Sequence, residues 1–240
     1  MKAQPGHFYA VGVGPGAPDL LTLRAARLLE ACDAIVAPRS ERSEASLVLA
    51  IVAEHLRDQE VLEHTYPMAR DAERTRASWA EVADWVAPRL ARGQCVVQIT
   101  LGDPMIYSTS SYLLEALRER VSSDLLHVVP GISAMQAAAA LFQEDLALQE
   151  DRLTLLPATD LEAVAEALAR SETVVLYKVA GHLDALIDLL EAKGLLDQAR
   201  LSFAVEQGRQ QLVSDLRLAR GTRLGYMSTV MIRTGRRAWA

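Results

Sequence analysis

The chain has 240 residues, of which 50% are hydrophobic and 23% are charged, and its formal net charge is −6. Such totals are typical of a globular protein with one large domain or two small ones. The acidic balance argues against a general nucleic-acid binder, whose net charge is usually positive. The first apolar stretch is too short for a signal peptide, and no stretch approaches the roughly 18 apolar residues of a membrane span. We therefore expect a cytoplasmic protein without nucleic-acid or membrane partners.

Cysteine and histidine residues show no spacing that is typical of metal ligands. Cys32 and Cys95 are 63 positions apart within apolar stretches, which favours buried, free thiols in a reducing compartment. The five histidines form no i, i+4 pair and have no neighbouring carboxylate motif. We therefore expect no metal site.

The first half of the chain alternates between predicted strands and predicted helices. The pattern predicts strands over 7–13, 34–37, 95–100 and 125–129, and helices over 19–32, 43–56, 79–91 and 110–120. Asp19 is expected to cap the first helix. This alternation is typical of a parallel sheet with helices on its faces. The ligand site of such a sheet lies at the carboxyl ends of its strands.

The second half begins after a break at Pro130-Gly131 and combines its elements differently. The pattern predicts a helix of small residues over 133–141, strands over 153–156, 173–178 and 201–205, and helices over 161–168 and 183–190. Two final strands, 211–218 and 225–233, are joined by a turn around Gly221. We therefore expect two α/β domains: residues 1–130 with a mainly parallel sheet, and residues 131–240 with a mixed sheet.

Three loops that follow predicted strands are rich in glycine and small residues. They are Gly12-Val13-Gly14-Pro15-Gly16, Thr100-Leu101-Gly102-Asp103-Pro104 and Val129-Pro130-Gly131-Ile132-Ser133-Ala134. Small residues let the backbone approach a ligand or another segment closely. Each loop alone is also compatible with a plain turn or with helix packing. The first loop lacks the glycine spacing of a dinucleotide-binding fingerprint, and the second predicted strand ends at a proline where a ribose-binding acid is expected.

The three loops together, in this order, resemble the tetrapyrrole methylase family, the S-adenosylmethionine-dependent enzymes of sirohaem and cobalamin synthesis. The resemblance extends from Tyr9 to about Ile232. The segment most similar to the members that methylate carbon 20 of precorrin-2 is Leu101-Gly102-Asp103-Pro104-Met105-Ile106-Tyr107-Ser108-Thr109, and Tyr66-Pro67-Met68 and Tyr226-Met227-Ser228-Thr229 point to the same members. The resemblance implies a C-methyltransferase acting on this tetrapyrrole, and a homodimer.

The resemblance also implies where S-adenosylmethionine binds, in a cleft between the two α/β domains. The positions that match the cofactor-binding residues of the family are Pro15, Leu101, Gly102, Asp103, Ile106, Ser133, Ala134, Tyr177, Lys178 and Gly208. Relatives often have methionine at the position of Lys178, and this departure argues against a side-chain role there.

The tetrapyrrole substrate carries many carboxylates, so an enzyme with a negative net charge needs a local basic surface. Arginine suits carboxylates because its planar guanidinium binds them with two parallel hydrogen bonds. Arg39 and Arg70 are the candidates, although a solvated surface explains either of them as well. Tyr107, Ser108 and Thr109 are expected to line the substrate. No catalytic base is assigned, because the methyl donor is already activated; Tyr107 is the candidate for a polar group that faces the ring.

The sequence is also compatible with other functions. The nearest alternatives are the same methylation on cobalt-factor II and another tetrapyrrole methylase activity. The sequence does not separate the cobalt-containing substrate from the metal-free one, because a metal held by the ring needs no protein ligand. A nicotinamide-dependent oxidoreductase is a different class, which the glycine spacing disfavours. A non-enzymatic binding module is the third, and it leaves three convergent strand-end loops without an explanation.

Overall fold

The computed structural model describes residues 2–39, 46–65 and 72–235. The chain divides into two compact units, Met1–Ser133 and Ala134–Ala240. The boundary predicted from the sequence lies after residue 130. Within the described ranges, no helix combines the length and the apolar character that crossing a lipid bilayer requires.

The first unit is a parallel sheet of five strands with helices on its faces. Its strands are β1 (Phe8–Gly12), β2 (Ala34–Arg39), β3 (Glu60–Thr65), β4 (Val96–Thr100) and β5 (Leu126–Val129), and its α-helices are α1 (Leu23–Ala31), α2 (Leu47–Ile51), α3 (Ala72–Ala91) and α4 (Ser110–Arg118). The strand order is β3-β2-β4-β1-β5, and every neighbouring pair is parallel. The parallel sheet predicted from the sequence is confirmed.

Alternating side chains of the central strands divide this core into two layers. Tyr9, Val11 and Ile99 face α1 and α2, whereas Phe8 and Ala10 face α3 and α4. Because successive side chains of a strand point to opposite sides, a strand buried on both faces must be apolar at nearly every position. The helix that follows β1 and the helix that follows β4 therefore cover opposite faces of the sheet. In open α/β sheets this reversal marks the crevice where ligands bind.

Some predicted elements of the first unit have different bounds. The first α-helix does not begin at Asp19, which lies in a short 3₁₀ turn; Thr22 caps it, because its Oγ1 accepts a hydrogen bond of 3.1 Å from the backbone N–H of Ala25. The prediction for Asp19 is therefore wrong. The helix predicted over 43–56 is shorter within the described residues, where α2 is followed by a 3₁₀ turn at Ala53–His55. The polar edge strand β3 was not predicted, since its exposed sequence lacks apolar alternation.

The second unit contains a mixed sheet. Its strands are β6 (Leu153–Pro157), β7 (Thr173–Tyr177), β8 (Ala199–Phe203), β9 (Gln211–Val213) and β10 (Ser228–Arg233), and its α-helices are α5 (Ala134–Phe142), α6 (Leu161–Arg170) and α7 (Leu183–Ala192). The order is β6-β7-β10-β8-β9, in which only β6 and β7 are parallel. The predicted mixed sheet is confirmed.

Both faces of this second sheet are covered. Helices α6 and α7 contribute Val164, Leu168, Leu186 and Ile187 to the larger core, while small residues of α5 pack against the other face. The small residues of α5 thus allow the helix to pack closely against the sheet, which is the helix packing that the sequence also allowed for this segment.

The end of the chain departs from the sequence prediction. The strand predicted over 211–218 stops at Val213, because Asp215 caps a 3₁₀ helix at Leu216–Ala219 by accepting from the backbone N–H of Arg217. Strands β9 and β10 are not neighbours, since β8 lies between them.

Replacing Thr22 with Ala should lower the free energy of unfolding by about 1 kcal/mol, because the backbone N–H of Ala25 loses its side-chain acceptor. Urea unfolding followed by circular dichroism measures this change. Asp19→Ala is the matched control, and we expect it to change the unfolding free energy by less than about 0.5 kcal/mol. A larger loss for Asp19→Ala than for Thr22→Ala would contradict the assignment.

Candidate functional site

Three neighbouring strands of the first unit, β4, β1 and β5, end at the same edge, and the loops that follow them pack backbone against backbone. A Cβ added to Gly12 would lie 2.8 Å from the N and Cα atoms of Gly131 and closer still to the carbonyl oxygen of Gly102. A Cβ on Gly131 would meet the same carbonyl oxygen and lie 2.8 Å from the carbonyl carbon of Gly12. Real Cβ atoms do not approach backbone so closely, so the three loops can meet only without side chains at these points.

A short bridge joins the first two loops. The backbone N–H of Gly102 donates to the carbonyl oxygen of Gly14 at 2.7 Å, and Val13 N–H donates to Thr100 at 2.9 Å. Gly14 and Gly102 have φ angles of 78° and 70°, in the left-handed region that favours glycine. The glycine pattern of the first loop therefore serves this bridge and the close packing.

Asp103 connects the second loop to the third. Its Oδ2 accepts a hydrogen bond of 3.0 Å from the backbone N–H of Gly131, and its Oδ1 accepts one of 2.8 Å from Met105 N–H. The side chain is half-buried. Ser133 lies nearby, with its Cα 3.8 Å from where a Cβ of Gly102 would be. The structure thus brings Gly102, Asp103 and Ser133 together.

The other predicted residues of the first unit lie around this cluster. Pro15 is buried, and Leu101 packs against the core layer of α1 and α2. Ile106 is half-buried in the segment that follows Asp103. Arg39 is exposed at the carboxyl end of β2, which neighbours β4. Arg70, like the segment Tyr66-Pro67-Met68, lies outside the described residues.

Tyr107 and the two residues after it lead from the second loop into α4. Tyr107 has a φ of 48° and an exposed fraction of 44%, and burial of the rest of its side chain raises the pKa of its phenol. Ser108 Oγ lies 3.2 Å from Thr100 Oγ1. Thr109 occupies the N-cap position of α4 without a capping hydrogen bond from its side chain. Thr100 was not predicted as a site residue, although a polar residue at the end of a buried strand is a visible signal in the sequence.

The predicted residues of the second unit also follow strand ends. The hydroxyl of Tyr177 accepts a hydrogen bond of 3.0 Å from the backbone N–H of Met135, next to Ala134. Lys178 is exposed and has a φ of 56°, which is unusual for a residue with a side chain. The backbone of Lys178 is therefore distinctive whatever its side chain does.

The loop after β8 holds two more non-glycine residues in the left-handed region. Ala204 and Glu206 have φ angles of 47° and 59°, and Ala204 is buried. Gly208, in the same loop, is exposed, and a Cβ there would meet nothing within 4 Å. Strained backbone of this kind is concentrated at functional sites. Gly208 was predicted from the sequence, whereas Ala204 and Glu206 were not, because backbone strain at a residue with a side chain leaves no sequence signal.

The acceptors at the edge of the first sheet fit a cofactor that carries a cationic group. An ionised carboxylate has about four lone-pair sites, and Asp103 uses one on each oxygen for backbone N–H groups. The remaining sites can accept from an ammonium group or lie near a sulfonium. The contacts predicted for the cofactor, including those expected between the two domains, stay predictions.

The opposite, amino-terminal edge of the first sheet holds a histidine pair that sequence reasoning did not predict. His7 Nδ1 and His127 Nε2 lie 2.8 Å apart in a hydrogen bond, and burial, followed by the proximity of His7, lowers the pKa of His127. In the described part of the chain, no three His, Cys, Asp or Glu side chains form a group that could hold a metal ion. Cys32 and Cys95 are free and buried.

Comparisons with known proteins identify the family of the chain. The family model of the tetrapyrrole (corrin/porphyrin) methylases matches residues 7–212. The chain is 36% identical over 230 residues to a cobalt-precorrin-2 C(20)-methyltransferase of Salmonella typhimurium, which covers 95% of this chain and 96% of that protein. It is 32% identical over 209 residues to a precorrin-2 C(20)-methyltransferase of a Sinorhizobium species, with coverage of 81% and 82%.

The fold is shared with solved structures of lower identity. One of them is a uroporphyrin-III C-methyltransferase from Thermus thermophilus in complex with S-adenyl homocysteine, with a TM-score of 0.66 and 21% identity over 95% of this chain and 97% of that one. The likeness at this identity concerns the fold, whereas the matched family model covers most of the sequence. The chain belongs to the tetrapyrrole methylase family.

Proposed function

We propose that this protein transfers a methyl group from S-adenosylmethionine to carbon 20 of precorrin-2 in cobalamin biosynthesis. The observation that carries the proposal is the convergence of the three strand-end loops at Gly12, Gly102 and Gly131, beside the carboxylate of Asp103. These loops are the segments on which the resemblance to the family rests, and the family model matches residues 7–212. The names of the relatives reported above supply the substrate and the carbon atom.

The proposed reaction requires few catalytic groups from the protein. S-adenosylmethionine, when bound, supplies a methyl group that is already activated by the sulfonium. The residues of the chain must therefore hold the donor and the acceptor carbon in line at about 3–3.5 Å, and they must exclude competing water. Asp103 and the rigid loops around it hold the donor. A strongly perturbed catalytic base is not required, because a weak base or water can accept the proton that leaves the carbon.

The substrate side of the site must attract a polyanion although the chain is acidic overall. A local cluster of arginines can oppose the sign of the net charge. Arg39 is exposed at the carboxyl end of β2, beside the strand that leads to Asp103. We assign Arg39 to a carboxylate arm of the ring, while Arg70 keeps its predicted role from the sequence alone.

Cobalt-factor II is the second candidate substrate. The observation that favours it is the 36% identity to a relative named for a cobalt-containing substrate. Because the metal sits in the ring, both substrates present the same carbon to the same protein surface. Membership of the methylase family speaks against nicotinamide chemistry. A homodimer and a cytoplasmic location stay predictions.

Incubation with S-adenosylmethionine and precorrin-2 should increase the mass of the tetrapyrrole by one methyl group, at carbon 20. Mass spectrometry measures the gain, and nuclear magnetic resonance locates it. The same incubation with cobalt-factor II distinguishes the two substrates by kcat/KM. Transfer to neither substrate, by protein that binds the cofactor, would contradict the proposal.

Asp103→Ala should weaken the binding of S-adenosylmethionine roughly 10- to 100-fold, which corresponds to the loss of a hydrogen bond to a charged group. Isothermal titration calorimetry measures the affinity. Asp124→Ala removes a carboxylate at the opposite edge of the same sheet, next to β5, and should leave the affinity unchanged. Equal affinities of the unaltered protein and Asp103→Ala would remove the carboxylate from the cofactor site.

Arg39→Ala should raise the KM for the tetrapyrrole roughly threefold to tenfold and leave cofactor affinity intact, because a half-solvated ion pair contributes modestly. Arg57→Ala is the matched control, since Arg57 is also exposed but precedes β3, at the opposite edge of the sheet. Steady-state kinetics with varied tetrapyrrole makes the measurement. If Arg39→Ala, like Arg57→Ala, keeps the KM of the unaltered protein, Arg39 does not bind a carboxylate arm of the ring.

A further inference from the structure

Tyr107 combines a strained backbone with an exposed aromatic side chain. Among the described residues of the first unit, it is the sole non-glycine residue with a positive φ, at 48°. A left-handed conformation is costly for a bulky L-residue, and it persists only where the surrounding structure imposes it. The side chain is nevertheless 44% exposed, so burial in a core does not explain the conformation.

A chain of three hydroxyl groups fixes the backbone directly after Tyr107. Thr100 Oγ1 lies 3.2 Å from Ser108 Oγ, which donates to Ser110 Oγ at 3.1 Å and accepts from the backbone N–H of Ser110 at 3.1 Å. Ser110 is fully buried, and Thr100 is 7% exposed at the end of β4. We call Thr100, Ser108 and Ser110 the hydroxyl bracket. It ties the start of α4 to the last residue of a central strand.

The segment before Tyr107 is fixed at its other end by Asp103. The carboxylate holds the backbone N–H groups of Met105 and Gly131, so the second loop is attached to the third at this point. Tyr107 thus lies between two anchors, at the carboxyl edge where the family fold binds its ligands. Hydrogen bonds on both sides therefore fix the backbone segment that carries the exposed ring of Tyr107.

The chemistry of the substrate suits such a ring. A tetrapyrrole has a flat, largely apolar face and a rim of carboxylates. Tyrosine offers a flat apolar surface that loses little conformational entropy on binding, together with a hydroxyl at its edge. A ring that is already held in place binds more tightly than a mobile one, because less freedom is lost on contact.

We infer that the hydroxyl bracket is a positioning device that holds Tyr107 in its left-handed conformation, so that the phenol ring contacts the tetrapyrrole substrate. All three residues of the hydroxyl bracket are positioning residues, because they act on the substrate through Tyr107. The inference rests on the proposed function and adds the residues that orient the substrate.

Four variants test the inference, each assayed for substrate KM, kcat, cofactor affinity and melting temperature. Thr100→Val removes the hydroxyl at nearly constant shape, and it should raise the substrate KM roughly fivefold, as expected for one lost hydrogen bond. Cofactor affinity and kcat should stay within about twofold. Thr100→Ser keeps the hydroxyl and should have the substrate KM of the unaltered protein.

Tyr107→Gly should raise the substrate KM at least as much as Thr100→Val does. It should keep or raise the melting temperature, since glycine tolerates a positive φ. Thr154→Val is the matched control, because Thr154 Oγ1 forms a comparable hydroxyl pair of 2.6 Å with Ser171 in the second unit; its KM should not change.

The decisive measurement combines the two substitutions. In the Tyr107→Gly background, Thr100→Val should change the substrate KM by less than about twofold, because the bracket no longer has a ring to position. An equal effect of Thr100→Val in both backgrounds, or an unchanged KM for Tyr107→Gly, would overturn the inference and leave the proposed function intact. Absence of methyl transfer by the unaltered protein would overturn the proposed function itself, and the inference with it.

Discussion

The close packing of three backbones at Gly12, Gly102 and Gly131 is the constraint on which the site depends. These loops follow the adjacent strands β1, β4 and β5 of a parallel sheet, so the sheet brings their starts within reach of one another. The absence of side chains at the contact then lets the loops touch. A site assembled in this way has a rigid base, because backbone atoms that are packed and hydrogen-bonded have no rotamers to change.

The polar side chains of this edge act mainly on the backbone. Both oxygens of Asp103 accept N–H groups from two different loops, and Ser108 accepts the N–H at the start of α4 while contacting β4. Such side chains satisfy backbone groups that the turns leave without partners. They also limit the movement of the loops, which is what positioning two reactants requires.

Strained backbone occurs at the strand ends of both units. Tyr107 follows the second loop of the first unit, and Lys178, Ala204 and Glu206 follow β7 and β8 in the second. Each such residue costs about 1–3 kcal/mol, which the surrounding cores must offset. Both cores contain largely apolar strands, and in the first unit the central parallel strands are buried on both faces. Stability generated in the sheets is therefore what permits unfavourable conformations in the loops.

The sequence by itself determined the two α/β sheets, the family and the three loops, because apolar strands, helical periodicity and glycine runs are local patterns that survive without coordinates. The resemblance also assigned Gly102, Asp103 and Ser133 to one cofactor site, and that assignment stays a prediction. Only the tertiary structure decided which atoms these residues contact. It shows that the backbones of Gly12, Gly102 and Gly131 pack against one another, and that the carboxylate of Asp103 accepts a hydrogen bond from the backbone N–H of Gly131. The same holds for Thr22 replacing Asp19 as the helix cap, for the polar edge strand β3, and for the strain at Ala204 and Glu206. Such features arise from contacts between distant segments, which no window along the chain contains.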